Sequence, residues 1–154
     1  MLITPMTLAF VGTACAEEDK GSFKAKRKTL VAYLSRSGNT QVIARTLHRQ
    51  LSADLFEIRP TRPYPEDYEQ HVAQATRERD GDFEPPLAEH IEGISTYEEI
   101  FLGFPIWNGT APSPIRSFLK AHDFSGTTIR PFITHGGFGT GSALPCSGTM
   151  PPTL

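Results

Sequence analysis

Four short runs of strand-forming residues alternate with segments of helical character, and this alternation constrains the fold of the chain more than any other feature. Strands that are separated by helices imply right-handed crossovers and therefore a parallel sheet with helices on its faces. The sequence thus predicts an α/β fold. The expected strands cover residues 29–34, 54–58, 98–104 and 127–134.

The segments between these strands carry the expected helices. In the first helix, Ile43, Leu47 and Leu51 recur at helical spacing, which is typical of a helix that packs one apolar face on a core. The second helix is more polar and is predicted to lie at the surface, with its apolar stripe at Tyr68, Val72 and Ala75. The three helices are expected at residues 40–52, at residues 67–80 and from Pro114 onward, whereas residues 81–95 are expected to be mostly irregular.

Composition excludes several classes of protein. The 154 residues suit a single domain, and 38% hydrophobic with 21% charged residues is ordinary for a globular chain. The net charge of −2 argues against a nucleic-acid-binding protein, and no stretch is apolar enough to cross a bilayer. Two cysteines, Cys15 and Cys146, and five scattered histidines give no metal-binding spacing and no catalytic set.

The N-terminal segment has the features of an export signal. A short apolar run ends at Ala14-Cys15-Ala16, which has the A-x-A form of a cleavage site, and acidic residues follow at once. No basic residue precedes Lys20, so a disordered apolar tail on a cytoplasmic protein is the alternative. We expect a signal-like segment at 1–16, a linker at 17–28, one domain at 29–143 and an irregular tail at 144–154.

A small polar turn joins the first strand to the first helix. Backbone N–H groups and the positive end of the helix dipole converge at such a turn, so it can bind an anion. The same residue types are also common as ordinary helix caps, and this alternative stays open. The turn consists of Ser35, Arg36, Ser37, Gly38, Asn39 and Thr40.

Two further loops follow the third and fourth strands, at residues 105–112 and 135–141. In a parallel sheet, the carboxyl ends of the strands share one edge, and ligands bind there where the strand order reverses. The three loops are therefore expected to form one site.

Taken together, these loops resemble those of the flavodoxin family. The first resembles the family's loop around the phosphate of FMN, the second its loop with an aromatic residue beside the isoalloxazine ring, and the third its loop whose backbone meets the ring edge. The resemblance implies that FMN contacts Ser35, Arg36, Ser37, Gly38, Asn39, Thr40, Pro105, Ile106, Trp107, Asn108, Thr134, His135, Gly136, Gly137, Phe138 and Gly139.

Trp107 is the expected stacking partner of the flavin, and a partly buried core position is the alternative. Relatives often carry a second aromatic residue at the position of Asn108. The stretch Tyr64-Pro65-Glu66-Asp67-Tyr68 resembles a bacterial subgroup of the family, some of whose members are exported, although Tyr64 and Tyr68 themselves are expected to pack a loop against a helix.

The resemblance covers residues 29–143 and implies a flavodoxin-like, doubly wound parallel sheet in three α/β/α layers. The last strand and helix of that fold are not expected, since residues 142–154 contain three prolines and a glycine and cannot form them. The fourth strand would then be an exposed edge, so we expect marginal stability or a homodimer.

The resemblance implies an FMN-binding electron-transfer protein, with an unidentified redox partner protein or small electron acceptor. No side chain is expected to act as a catalytic acid or base. One alternative is an FMN-dependent NAD(P)H or quinone oxidoreductase of the same fold, and another is a degenerate remnant that binds nothing.

Overall fold

The computed structural model describes residues 28–137 and 139–143. The signal-like segment, the linker up to residue 27, the tail at 144–154, both cysteines and Phe138 lie outside the described residues. In chain order the elements are β1 (Thr29–Tyr33), α1 (Asn39–Leu51), β2 (Asp54–Glu57), α2 (Tyr68–Asp80), a short 3₁₀ turn (Ile94–Thr96), β3 (Glu99–Pro105), α3 (Ser113–Ala121) and β4 (Thr128–Thr134).

The strands form one parallel sheet in the order β2-β1-β3-β4. At its centre, Val31 of β1 is paired with Leu55 on one side and with Phe101 on the other. The predicted parallel α/β sheet is confirmed. Each strand begins and ends at the expected residue or one residue away from it. From β1 the chain adds β2 on one side of the sheet and then β3 and β4 on the other side. A crevice is therefore expected above the carboxyl ends of β1 and β3, where this change of side occurs.

Helices cover both faces of the sheet. On the larger side, Leu30, Ile100 and Leu102 pack with Ile115 and Phe118 of α3, and all are at most 1% exposed. The smaller side holds α1, and its buried residues are Val31, Tyr33, Ala44 and Ala53. Within the described residues, β4 has a strand neighbour only on its β3 side.

The buried face of α1 differs from the expected one. Thr40 and Ala44 are buried and Leu47 packs against the smaller cluster, whereas Ile43 and Leu51 are 42% and 38% exposed. Ala44 brings no bulk between helix and sheet, so α1 lies close to β1 with the line of residues 40, 44 and 47 inward. Of the predicted stripe, Leu47 packs inward as expected, whereas Ile43 and Leu51 were wrong as core residues because they lie on the helix flank.

The buried face of α2 also differs. Asp67 caps the helix by accepting a hydrogen bond from the N–H of Gln70 at 2.9 Å. The buried residues are His71, Ala75 and Glu78, while Tyr68 is 68% exposed. Two polar side chains are thus turned inward, a placement that an apolar stripe could not predict.

The start and the inner face of α3 are as expected. Pro114 lies in the first turn, where its missing N–H costs nothing, and Ile115, Phe118 and Leu119 are buried. None of the helices in the described part of the chain is both long and apolar enough to span a membrane.

His122 joins the end of α3 to the segment before the 3₁₀ turn. Its Nε2 accepts the N–H of Ile91 at 3.1 Å, so Nδ1 carries the proton and donates to the carbonyl of Phe118 at 2.8 Å. Protonation of Nε2 would break the contact with Ile91. Burial lowers the pKa of His122, and nearby His90 lowers it further, against the opposing effect of the Phe118 carbonyl.

We therefore expect the protein to lose stability in mild acid. As the pH falls below about 6.5, the unfolded chain binds a proton at His122 that the folded chain does not yet bind. The free energy of unfolding should fall by at most about 1.4 kcal/mol per pH unit from this residue. Urea unfolding from pH 7.5 to 5.5 measures it, and the decrease should be smaller in His122→Gln; equal slopes in the two proteins would contradict the assignment.

Candidate functional site

The turn after β1 has the geometry of an anion site. Gly38 is the residue before α1 and has a left-handed backbone with φ 87°, and the space where a Cβ would lie is open. Its N–H donates to the Ser35 hydroxyl at 3.1 Å, and its carbonyl accepts from the N–H of Val42 at 3.0 Å. The first N–H groups of α1 have no acceptor within the helix and remain available to a ligand.

The alternative for this turn was that its polar side chains cap α1. No side chain makes a capping hydrogen bond, because the cap position is Gly38 itself. Ser37 and Asn39 are exposed, and neither side chain forms a hydrogen bond within the described residues. The turn therefore leaves hydrogen-bond donors accessible to a ligand.

Thr40 ties the first loop to the third. It is 1% exposed, and its hydroxyl lies 2.8 Å from that of Thr134 at the end of β4. The carbonyl of Thr134 also accepts from the N–H of Ile106 at 3.0 Å. These contacts bring the three predicted loops together, and they turn the Thr40 hydroxyl inward, away from the open side of the turn.

The second loop contains a tight Asn-Gly turn. Trp107 and Thr110 exchange backbone hydrogen bonds of 3.0 and 3.1 Å, and Asn108 and Gly109 between them have φ values of 50° and 78°. Asn tolerates this left-handed backbone better than other residues with a side chain. Its amide donates to the hydroxyl of Thr76 on α2 at 2.7 Å. Asn108 therefore anchors the loop to α2.

Trp107 is half-buried and belongs to an aromatic cluster. Its ring meets those of Tyr64 and His71 edge-on, at centroid distances of 4.8 and 4.3 Å. It also packs against the larger core, as the alternative interpretation of this residue expected. The Tyr64 hydroxyl donates to the carboxylate of Glu78, so Tyr64 does pack its loop against α2.

The third loop is open and rich in glycine. Gly137 has φ 100° and donates its N–H to Nδ1 of His135 at 3.2 Å, and nothing lies near the Cβ positions of Gly136, Gly137 and Gly139. The backbone of this loop is thus accessible to a flat ligand. Phe138 lies outside the described residues.

A cavity of about 550 Å³ lies beside Trp107, within the range typical of small-molecule sites. The first loop contributes Ser35 and Arg36, and the segment after β2 supplies most of the remaining wall. No described residue of the third loop lines it. Sequence reasoning missed this cavity, although the Tyr64-Pro65 motif was its one visible signal. The remaining lining residues are Leu34, Glu57, Ile58, Arg59, Pro60, Pro63, Tyr64, Pro65, Glu66 and His71.

Two titratable groups near Trp107 have shifted pKa values. Burial raises the pKa of Tyr64, and the hydrogen bond to Glu78 raises it further, so the phenol stays protonated. Burial lowers the pKa of His71, and the Arg36 charge lowers it further. In the described part of the chain, no three metal-binding side chains come together.

Comparison with known proteins agrees with this architecture. Residues 28–147 match the family model described as flavodoxin. A candidate flavoprotein from Bacteroides eggerthii is 34% identical, with a TM-score of 0.70 over 76% of each chain. One from Bacteroides uniformis is 31% identical, with a TM-score of 0.69 over 76% of this chain and 78% of that one.

A flavoprotein of Lactobacillus acidophilus, solved in complex with FMN, shares the fold at 23% identity. Its TM-score is 0.65, over 72% of this chain and 76% of that one. No curated protein matches the sequence. The strand order, the three joined loops and the family match lead to one conclusion: the chain belongs to the flavodoxin family.

Proposed function

We propose that the protein binds FMN and transfers electrons through it. The observation that carries this proposal is that an open turn suited to an anion lies beside the loops that follow β3 and β4. Thr40, Thr134 and Ile106 join these three segments by hydrogen bonds. The FMN complex of the Lactobacillus relative supports the choice of cofactor.

The residues present fit an FMN phosphate. The turn offers backbone N–H groups, the exposed hydroxyl of Ser37 and the amide of Asn39 around an open space at Gly38. Helix dipole and backbone donors suffice to hold an anion without a lysine. Arg36 adds a positive charge beside the turn while its guanidinium is held by the carbonyl of Glu66 at 2.8 Å.

The residues present also fit a flat ring. Trp107 supplies an aromatic surface, and the backbone of Gly136 and Gly137 supplies an open edge. The bound flavin would supply the one- and two-electron chemistry. The role of this chain is to bind and orient the ring and to exclude water from its covered face.

The joined loops provide a flavin site, on which the proposed electron transfer rests, and an FMN-dependent oxidoreductase of the same fold is the alternative. The protein should be reconstituted with FMN and treated with NADPH without oxygen. Bleaching by dithionite alone would support the carrier, rapid bleaching by NADPH would support the oxidoreductase, and absence of flavin absorbance would overturn both.

Trp107→Ala should weaken FMN binding by about 1 kcal/mol, roughly fivefold, through the loss of one aromatic contact. Fluorescence titration of FMN measures the change. Trp107→Phe keeps an aromatic ring and should retain most of the affinity. Equal affinities for wild type and Trp107→Ala would rule out a stacking role.

We also propose that the protein is exported, on the basis of the apolar run that ends at Ala14-Cys15-Ala16. Fractionation of the native host, with N-terminal sequencing of the mature protein, tests this. A mature N-terminus just after Ala16 is expected, and an intact Met1 in the cytoplasmic fraction would contradict export.

A further inference from the structure

The cavity beside Trp107 contains a buried side chain whose polar atoms are both unpaired. His71 is 3% exposed, and neither ring nitrogen has a hydrogen-bond partner within the described residues. A buried polar group without a partner costs about 1–3 kcal/mol. Because the ring lines the cavity, a ligand with a suitable group could supply the missing hydrogen bond.

Several other polar groups of the wall already have hydrogen-bond or ion-pair partners. The Tyr64 hydroxyl donates to Glu78, and the Ser35 hydroxyl accepts from Gly38. Arg36 donates to the carbonyl of Glu66, and Arg59 faces Glu89 at 3.8 Å. Among the described side chains that line this cavity, His71 is the one whose buried polar atoms lack a partner.

The shape and charge of the cavity restrict what that ligand can be. Its walls are largely apolar, formed by Leu34, Ile58, Pro60, Pro63, Pro65 and Trp107. Two carboxylates, Glu57 and Glu66, balance two guanidinium groups, Arg36 and Arg59. Such a pocket favours an uncharged, flat, apolar molecule with few polar atoms.

We propose that this cavity binds an uncharged aromatic alcohol of one or two rings, whose hydroxyl group donates to a ring nitrogen of His71. The lowered pKa keeps the imidazole neutral, so one nitrogen is an acceptor. Both nitrogens are closed to solvent, so the ring must rotate toward the cavity to meet the ligand.

This site adjoins the proposed flavin site but does not coincide with it. The flavin site uses the backbone of the third loop, and none of the described residues of that loop lines the cavity. The two sites share Ser35, Arg36 and Trp107, so Trp107 lies between them and reports on both.

The probe is 2-naphthol, titrated into the full chain without FMN. Binding is followed by calorimetry and by the NMR signals of the Trp107 indole N–H and the His71 ring. A single saturable site is expected, with movement of both signals. His71→Leu should weaken binding at least about tenfold, since it removes the acceptor while keeping an apolar side chain of similar size.

Two controls separate specific recognition by His71 from non-specific binding of an apolar molecule. His90→Leu changes an exposed histidine outside the cavity and should bind 2-naphthol as the wild type does. On the wild type, 2-methoxynaphthalene lacks the hydroxyl hydrogen and 2-naphthoate is charged, so both should bind at least about tenfold more weakly. These ligand controls hold even if His71→Leu fails to fold.

The titration is then repeated with FMN present, and bound FMN is measured by its absorbance. Undiminished binding of 2-naphthol supports two separate sites. Displacement by FMN, absence of binding, or equal binding of the methyl ether would each overturn the proposal. If 2-naphthol binds and FMN does not, the cavity proposal stands and the flavin function fails.

Discussion

Ser37→Asp is expected to lower FMN affinity by about 100-fold, equivalent to ~3 kcal/mol. Ser37 lies in the turn before α1, is exposed and has a hydroxyl free to meet a ligand. A carboxylate there would face the dianionic phosphate across a few ångströms and offset the helix dipole. Equilibrium titration of FMN at low salt measures the loss.

The matched control is Ser95→Asp. Ser95 is also exposed, but it lies in the 3₁₀ turn before β3, at the opposite edge of the sheet. The added charge is the same, so a general electrostatic effect would appear in both variants. If both lose affinity equally, or neither does, the turn at residues 35–40 does not hold the phosphate.

Gly141→Ala is expected to reduce the free energy of unfolding by about 2 kcal/mol or more. Gly141 has φ 55°, and a Cβ there would lie 1.9 Å from the carbonyl oxygen of Gly109 in the second loop. That oxygen accepts the N–H of Ser142 at 2.8 Å, so backbone on both sides is held in place. Neighbouring Ala143 is 1% exposed, so displacement of the segment would also open the core.

Gly136→Ala is the comparison for this prediction. Gly136 also lies in the third loop, but its φ is not in the left-handed region and nothing lies near its Cβ position. Thermal and urea unfolding should therefore show little change in Gly136→Ala. A Gly141→Ala protein as stable as the wild type would mean that residues 140–143 do not pack on the second loop.

The sheet could be predicted from the sequence because each strand is a short local run, and parallel order follows from the helices between the runs. The same logic placed the three loops at one edge. The contacts that join them could not be predicted, since Thr40 and Thr134 are 94 residues apart and both were assigned to the ligand.

Other features depend on packing that the sequence pattern does not encode. Thr40 and Ala44 of α1 face the sheet, because the small side chain of Ala44 lets the helix lie close to it. Helical periodicity alone placed the flank of the helix, with Ile43 and Leu51, against the core. Asn108 was assigned to the cofactor by its position, whereas its side chain binds Thr76 of α2. His71 is buried against Tyr64 and against Trp107, which comes from a loop distant in sequence, and Glu78 accepts the hydrogen bond of Tyr64.

The central claim is that this chain holds FMN by its phosphate through the turn at residues 35–40. The most direct test compares the equilibrium affinities of FMN and riboflavin, which differ only in that phosphate, for the same purified protein. We expect FMN to bind at least about 100-fold more tightly, because the anion site contributes roughly 3 kcal/mol. Equal affinities for the two flavins, or no binding of either, would contradict the claim.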